Sequence, residues 1–355
     1  MTITDTVAQL DIIGGVDTHR ATHHAAALTG QGYLLGDKEF PATAAGYREL
    51  LEWMSSFGVV TRVGVESTGS YGAGLARYLS SRGVRVVEVN QPHAHTRLRV
   101  GKSDPIDAEA AARKVLGGRL STQPKRTTGV VEAIRVLRVA RESAVKARSA
   151  ALVQFQDLVT TASEDLRESL ASRGTRASVT IASSWRPDVT RLEDPTQATK
   201  MALRVIARRI HALDDEIVVI DEQLRRLVES TAPTLVSRVG VGTQHAAQLL
   251  VTAGENIDRL TSESAFARLC GVAPIPASSG QTHRMRLHRG GDRQANRTLH
   301  MIAICRLRYD QRTIDYMARR QAEGLSKKDV VRCLKRFIAR EVYHDLVTDL
   351  GQKGT

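Results

Sequence analysis

Eight apolar residues, Leu203, Ile206, Ile210, Leu213, Ile217, Ile220, Leu224 and Leu227, follow one another at intervals of 3, 4, 3, 4, 3, 4 and 3. That alternation keeps one apolar seam along a helix for more than three heptads, and neither a strand nor a loop has this period. A helix of this length cannot bury such a seam alone. The partner is either the segment over 130–170, whose stripe (Ile134, Leu137, Ala144, Leu152, Phe155) is poorer, or a second copy of the chain. The seam commits residues 126–230 to a helical coiled-coil region, interrupted near Gly174, Pro187 and Pro195.

The chain before it has a different rhythm. Residues 11–120 alternate apolar runs of strand length with amphipathic stretches of helix length. DIIGGVD is a strand, and HHAAALT and YLLGDKEF, parted by Gly30 and Gly32, read as a hairpin. A helix around AAGYRELLEWMSSFG, the strand TRVGVEST, a helix from GSYGAGLARYLSSRG, the strand VRVVEVN and a helix near SDPIDAEAAARKVL follow. Such alternation implies an α/β sheet domain over 1–125. Residues 231–355 return to helical patterning, with one interruption rich in Gly and Pro. The fold class is therefore α/β plus α. RVGVGTQHAAQLL has the form of a helix–hairpin–helix-like turn, in which Gly240 and Gly242 would bring backbone N–H groups and a helix N-terminus against phosphate.

Charge points to a polyanionic partner. The formal net charge is +13. Residues 231–355 carry 20 Lys and Arg against 11 Asp and Glu, so most of the excess lies in the last third. Between Glu263 and Asp310 the sole acid is Asp292, among Arg268, Arg284, Arg286, Arg289, Arg293, Arg297, Arg306 and Arg308. Guanidinium forks suit phosphates, so Arg284, Arg286, Arg289, Arg293 and Arg297 are the candidate nucleic-acid contacts. The three cysteines form no CxxC pair and read as buried thiols in a reducing compartment. With no secretory leader and no apolar run of spanning length, the expected location is the cytoplasm, beside the nucleoid, with no membrane partner.

Four acids stand where a two-metal nuclease of the RNase H type needs them. Asp17 follows the strand DIIGGV, Glu66 ends RVGVE, and Asp104 and Asp107 open the helix SDPIDAEAA. Acids from adjacent strand ends and one helix face can converge on two divalent cations, and the i, i+3 spacing puts Asp104 and Asp107 on one face. The competing explanation is capping, with Asp104 as N-cap, Pro105 at N1 and Asp107 at N3. Glu109 is a solvent-facing decoy. His19, His23, His24, His93 and His95 lack cysteines and zinc spacing, and Gly101-Lys102-Ser103 lacks the first glycine of a phosphate loop.

GVD, VGVEST, KSDPIDAEAAA, the RVGVG turn and GVAP…SSG…RGG…R…L, taken in order, make the chain resemble the insertion-sequence 110 transposases from about residue 11 to residue 345. The resemblance implies a RuvC-like DEDD domain over 1–125, the coiled-coil region over 126–230, and a C-terminal transposase domain over 231–355 with an essential serine. It assigns Asp17, Glu66, Asp104 and Asp107 as metal ligands for Mg²⁺, two ions in number, with Mn²⁺ as substitute. The family serine stands directly before a glycine in the loop after GLxP. Here that loop follows GVAP, which makes Ser279 the nucleophile and leaves its neighbour Ser278 one position away. The implied activity is cleavage and rejoining of DNA at the ends of an insertion element through a phosphoserine–DNA intermediate, guided by a structured bridge RNA, in a dimer or tetramer. Two other readings use the same residues. A resolvase-type nuclease would use the acids without the serine, and a non-catalytic nucleic-acid-binding protein would use the acids as caps.

Overall fold

Strand β1, Asp11–Thr18, is the hub of the N-terminal sheet. It pairs antiparallel with β2, Thr22–Thr29, on one side and parallel with β4, Val59–Glu66, on the other. Strand β3, Leu34–Pro41, continues the hairpin beyond β2, and β5, Arg85–Val89, lies parallel to β4. The order is therefore β3-β2-β1-β4-β5. The computed structural model describes residues 10–89, 103–118, 122–171, 173–277, 280, 285–288 and 290–351.

Both faces of this sheet are covered, which is why β1 is almost continuously buried. Helices α1, Ala44–Ser55, and α2, Ala73–Ser81, cover one face over Val16, Val63, Val65 and Val86. The other face receives α3, Asp104–Leu116, whose Ala111 and Val115 pack on Ile13, Val87 and Val89. Thr43 begins α1 with its hydroxyl accepting from the Gly46 N–H, a side-chain N-cap.

Beyond residue 129 the structure is helical. The long helices are α4, Val130–Thr161, and α7, Pro195–Thr231, with the short α5, Glu164–Ala171, and α6, Thr175–Ser184, between them. Asp194 caps α7 through the Thr196 N–H, and Pro195 takes the first helical position, where its missing N–H costs nothing. Helices α4 and α7 run antiparallel, as the ion pairs Arg141–Asp221 and Arg148–Asp214 require. Leu203, Ile210 and Leu224 of the heptad seam are buried, whereas Leu213, Ile217 and Ile220 are half-buried. Val218 and Val219, outside the seam, are exposed.

The C-terminal helices are α8, Pro233–Val236, α9, Thr243–Ala253, α10, Glu263–Leu269, α11, Arg293–Tyr309, α12, Gln311–Ala322, and α13, Lys327–Gly351. A small antiparallel pair, β6 (Pro274–Pro276) and β7 (Met285–Leu287), separates α10 from α11. By compactness the chain divides into two units, Met1–Gly129 with Ala253–Ser262, and Val130–Thr252 with Glu263–Thr355. A segment from the C-terminal third thus belongs to the N-terminal unit. Among the described residues no helix is long and apolar enough to cross a membrane.

Candidate active site

Two glycines build the acidic site. Side chains alternate along a strand, so Gly15 and Asp17 share one face of β1, and Gly64 and Glu66 share the same face of β4. A Cβ at Gly15 would collide with the Ala108 carbonyl oxygen and the Ala112 nitrogen of α3. One at Gly64 would meet Val115 Cγ2 at 2.7 Å and the Ala111 carbonyl oxygen at 3.0 Å. The two missing side chains let α3 lie directly on the sheet, its first-turn acids near Asp17 at the end of β1. There the Thr18 hydroxyl donates to the Glu66 carbonyl oxygen at 3.1 Å and clips the two strand ends together.

The four predicted acids fall in this neighbourhood. Asp17, Glu66 and Asp107 are buried, and Asp104 is partly exposed. Burial pushes the Asp17 carboxyl above its ordinary value, His19 opposes the rise, and the charges of Asp107 and Asp104 add to it. Both helix acids are therefore felt at the strand acid. Both stand in the first turn of α3, where their charge suits the helix dipole, but neither is the N-cap. Ser103, not Asp104, is the residue before the helix, and its carbonyl accepts from the Asp107 N–H at 3.0 Å. Glu109 pairs with Arg113 one turn along the helix.

One member was missed. His19 Nε2 lies 3.2 Å from Asp17 Oδ2 and 3.4 Å from Asp104 Oδ1. Ligand atoms of Asp17, His19 and Asp104 all lie within 4.8 Å of one another. This histidine joins the carboxylates through the tight turn from β1 to β2, an arrangement unrelated to zinc-type spacing. The legible signal was its place two residues after Asp17. His23, by contrast, is fully buried on the opposite face, stacked on Tyr47 at 5.6 Å, and burial lowers its pKa. His24 bonds Asp37, and His93 and His95 lie outside the described residues. Hard carboxylate oxygens in a partly buried cluster of like charge are a donor set suited to a divalent cation.

The remaining predicted residues are distributed differently. Ser278, Ser279, Arg284 and Arg289 lie outside the described residues. Arg286, on β7, and Arg293 and Arg297, one turn apart on α11, are exposed. Asp292, the single acid of that stretch, is consumed as the α11 N-cap, accepting from the Gln294 and Ala295 N–H groups. Arg306 is buried, donating to the Val239 carbonyl at 2.9 Å and pairing with Glu341, so it is structural. Gly240 has a φ of 81°, a conformation that favours glycine, and Gly242 precedes α9 with its carbonyl accepting from the Ala246 N–H.

Comparison with known proteins follows the same two regions. Residues 14–163 match a family described as Transposase, of the DEDD IS110 type, and residues 232–318 match the family described as Transposase IS116/IS110/IS902. An uncharacterized 43.6 kDa protein of insertion element IS110 from Streptomyces coelicolor is 32% identical over 122 residues, 34% of this chain and 30% of that protein. An uncharacterized 42 kDa protein of insertion element IS900 from Mycobacterium paratuberculosis is 29% identical over 136 residues, 37% of this chain and 34% of that protein. The matched stretch spans about a third of the length of either relative. With one match covering the carboxylates and the other the arginine-rich region, in the order the resemblance requires, the chain belongs to the IS110 family of transposases.

Proposed function

We propose that this protein is a DNA transposase, or recombinase, that cuts and rejoins strands at the ends of an insertion element. The observation that carries the reading is that Asp17 and Glu66 stand at neighbouring parallel strand ends, with Asp104 and Asp107 of the first turn of α3 close enough to act on Asp17. The sheet order β3-β2-β1-β4-β5, with an antiparallel hairpin on one side and parallel strands on the other, supports a RuvC-like, RNase H-type domain. Asp17, Glu66, Asp104 and Asp107 hold Mg²⁺, for which Mn²⁺ substitutes, and His19 steadies Asp17 and Asp104 from the rim. When bound, such ions activate an attacking oxygen and stabilise a leaving one at a phosphodiester.

Ser279 is the nucleophile. Its Oγ forms a bond to phosphorus, the bond from phosphorus to one strand oxygen breaks, and that oxygen leaves as a hydroxyl carrying the serine proton. A strand hydroxyl then attacks the phosphoserine and restores Oγ–H, so the exchange needs no outside energy source. The arginines of β7 and α11, with the Gly240–Gly242 turn as a helix–hairpin–helix-like element, grip phosphates. A structured bridge RNA is the guide that supplies target choice. The exposed Val218 and Val219 beside the half-buried part of the seam support self-association as a dimer or tetramer.

The decisive experiment is strand cleavage of element-end DNA by the full chain with Mg²⁺, with chelator, and with Glu66→Gln. Cleavage should need the ion and vanish in the variant. Cleavage that survives both chelator and Glu66→Gln would overturn the carboxylate site, and metal-dependent nicking without strand joining would favour the resolvase-type nuclease.

A further inference from the structure

The N-terminal unit contains a cavity of about 870 Å³ that the carboxylate site does not use. It lies between α2, β5 and two straps, residues 123–128 and residues 256–261. Arg77, Arg85, Lys125, Arg126 and Arg259 line it, and Asp258 is the one acid among the described lining residues. Five cations line it against one acid, Asp258, with Glu88 also acting on Arg259, so the concavity keeps a positive field that favours an anion.

The walls are built, not incidental. The buried Asn256 accepts from the Arg126 N–H at 2.9 Å and donates to the Pro124 carbonyl at 3.0 Å, so one side chain fixes two positions of the first strap. Arg77 Nη1 donates to the Thr127 hydroxyl at 3.2 Å, tying α2 to that strap across the cavity. Arg259 is turned back onto the Ala253 carbonyl, to which Nε and Nη2 donate at 2.9 and 2.7 Å. Arg85 and Arg126 are exposed at the margin.

Two features choose the ligand. The volume is in the upper part of the range, about 300–1,000 Å³, of sites that enclose a small ligand. Yet none of the described lining residues is aromatic. Aromatic rings are the main platforms on which single-stranded bases stack, whereas guanidinium, ammonium and hydroxyl groups are the main contacts to the sugar–phosphate backbone. The cavity also begins at Thr68, two residues after Glu66, and two residues span at most about 7 Å of chain. We propose that this cavity is a second nucleic-acid subsite, which holds the phosphodiester backbone of a single strand, without base preference, beside the carboxylate site. The proposal rests on the reading of the chain as a nucleic-acid enzyme. Arg85 and Arg126 contact phosphate, Arg77 positions Thr127, and the strand is DNA or RNA.

The test uses the full-length chain and a short fluorescent single strand of mixed sequence, made once as DNA and once as RNA. Affinity is read by anisotropy across a salt series for wild type, Arg85→Ala, Arg126→Ala, the double variant and Arg85→Lys, with circular dichroism as the check on folding. For a single strand each lost phosphate contact reduces the slope of log affinity against log salt by about 0.7, so the double variant should lose about 1.4. Arg85→Lys should keep the wild-type slope, because the charge remains. A change with the DNA probe alone identifies a DNA strand, and a change with the RNA probe alone identifies an RNA strand. Wild-type slopes for the folded double variant on both probes overturn the cavity proposal while the functional reading stands. Failure of the wild type to bind either probe would sink the nucleic-acid reading itself, and the cavity with it.

Discussion

Gly15 of β1 lies against Ala108 of α3 so closely that the glycine has no room for a Cβ beside the Ala108 carbonyl oxygen. This approach sets the height of Asp104 and Asp107 above Asp17, two residues further along the same strand face. Gly15→Ala should therefore act on the site without touching a carboxylate. The overpacking is against backbone on both sides, so α3 must lift, and a destabilisation of about 1–3 kcal/mol is expected. Cleavage should fall far more than the folded fraction does. Thermal unfolding measured beside cleavage decides the matter, and wild-type values in both would show that α3 has another way to seat.

Asp17→Asn should separate the charge cost of the site from its use. Burial and the neighbouring Asp107 and Asp104 raise the folded-state pKa of Asp17. A raised carboxyl contributes stability below its unfolded pKa and loses it as pH rises through the folded one. At neutral pH the metal-free variant should therefore melt above the metal-free wild type, with the gap closing on acidification. Added Mg²⁺ should reverse the order, since a ligand at a hundredfold excess over its Kd stabilises the native state by about 2.7 kcal/mol and the variant has lost a ligand group. Equal Mg²⁺-induced shifts in both proteins would remove Asp17 from the metal site.

Covalent chemistry has its own signature. With Ser279 as nucleophile, labelled DNA should remain attached to the protein through denaturing electrophoresis, and peptide mapping should place it at that serine. Ser279→Ala should lose adduct and recombinant product but keep nucleic-acid binding, because one oxygen is removed and little surface. Ser278→Ala should retain both. An adduct on Ser278 would move the role by one residue, and efficient joining by Ser279→Ala without any adduct would leave hydrolysis as the chemistry.

Self-association is tested most cleanly outside the core. Ile210 is buried between α4 and α7, so charge there would unfold the hairpin. Val218 and Val219, 66% and 63% exposed, offer surface positions where substitution costs the monomer within about 0.5 kcal/mol. Val218→Lys with Val219→Lys should shift sedimentation toward the monomer and depress recombination while the melting temperature holds. Unchanged sedimentation would take this face out of any assembly.

Local information is sufficient for much of this protein. Period-2 and period-3.6 patterning set the strands and helices of the N-terminal region, Asp194-Pro195 started α7, and the 3-4 spacing announced its apolar seam, because each depends on neighbours within a few residues. Asp17, Glu66, Asp104 and Asp107 were legible as candidates because strand ends and helix starts can be found from patterning. What patterning could not decide was which surfaces meet. The seam read equally well as intramolecular or intermolecular until α4 was found packed against it, since an apolar stripe states that it must be covered and not by what. His19 joined the acids, Ser103 displaced Asp104 from the cap, and residues 253–262 packed with the N-terminal sheet, all through contacts between segments distant in sequence or through a turn whose direction only packing selects. Gly15 and Gly64 make the same division visible in a single motif. The repeated Gly-Val-Asp and Gly-Val-Glu were present in the sequence, but that each glycine is a seat for one helix is a fact about the space above the sheet, and only the tertiary structure contains that space.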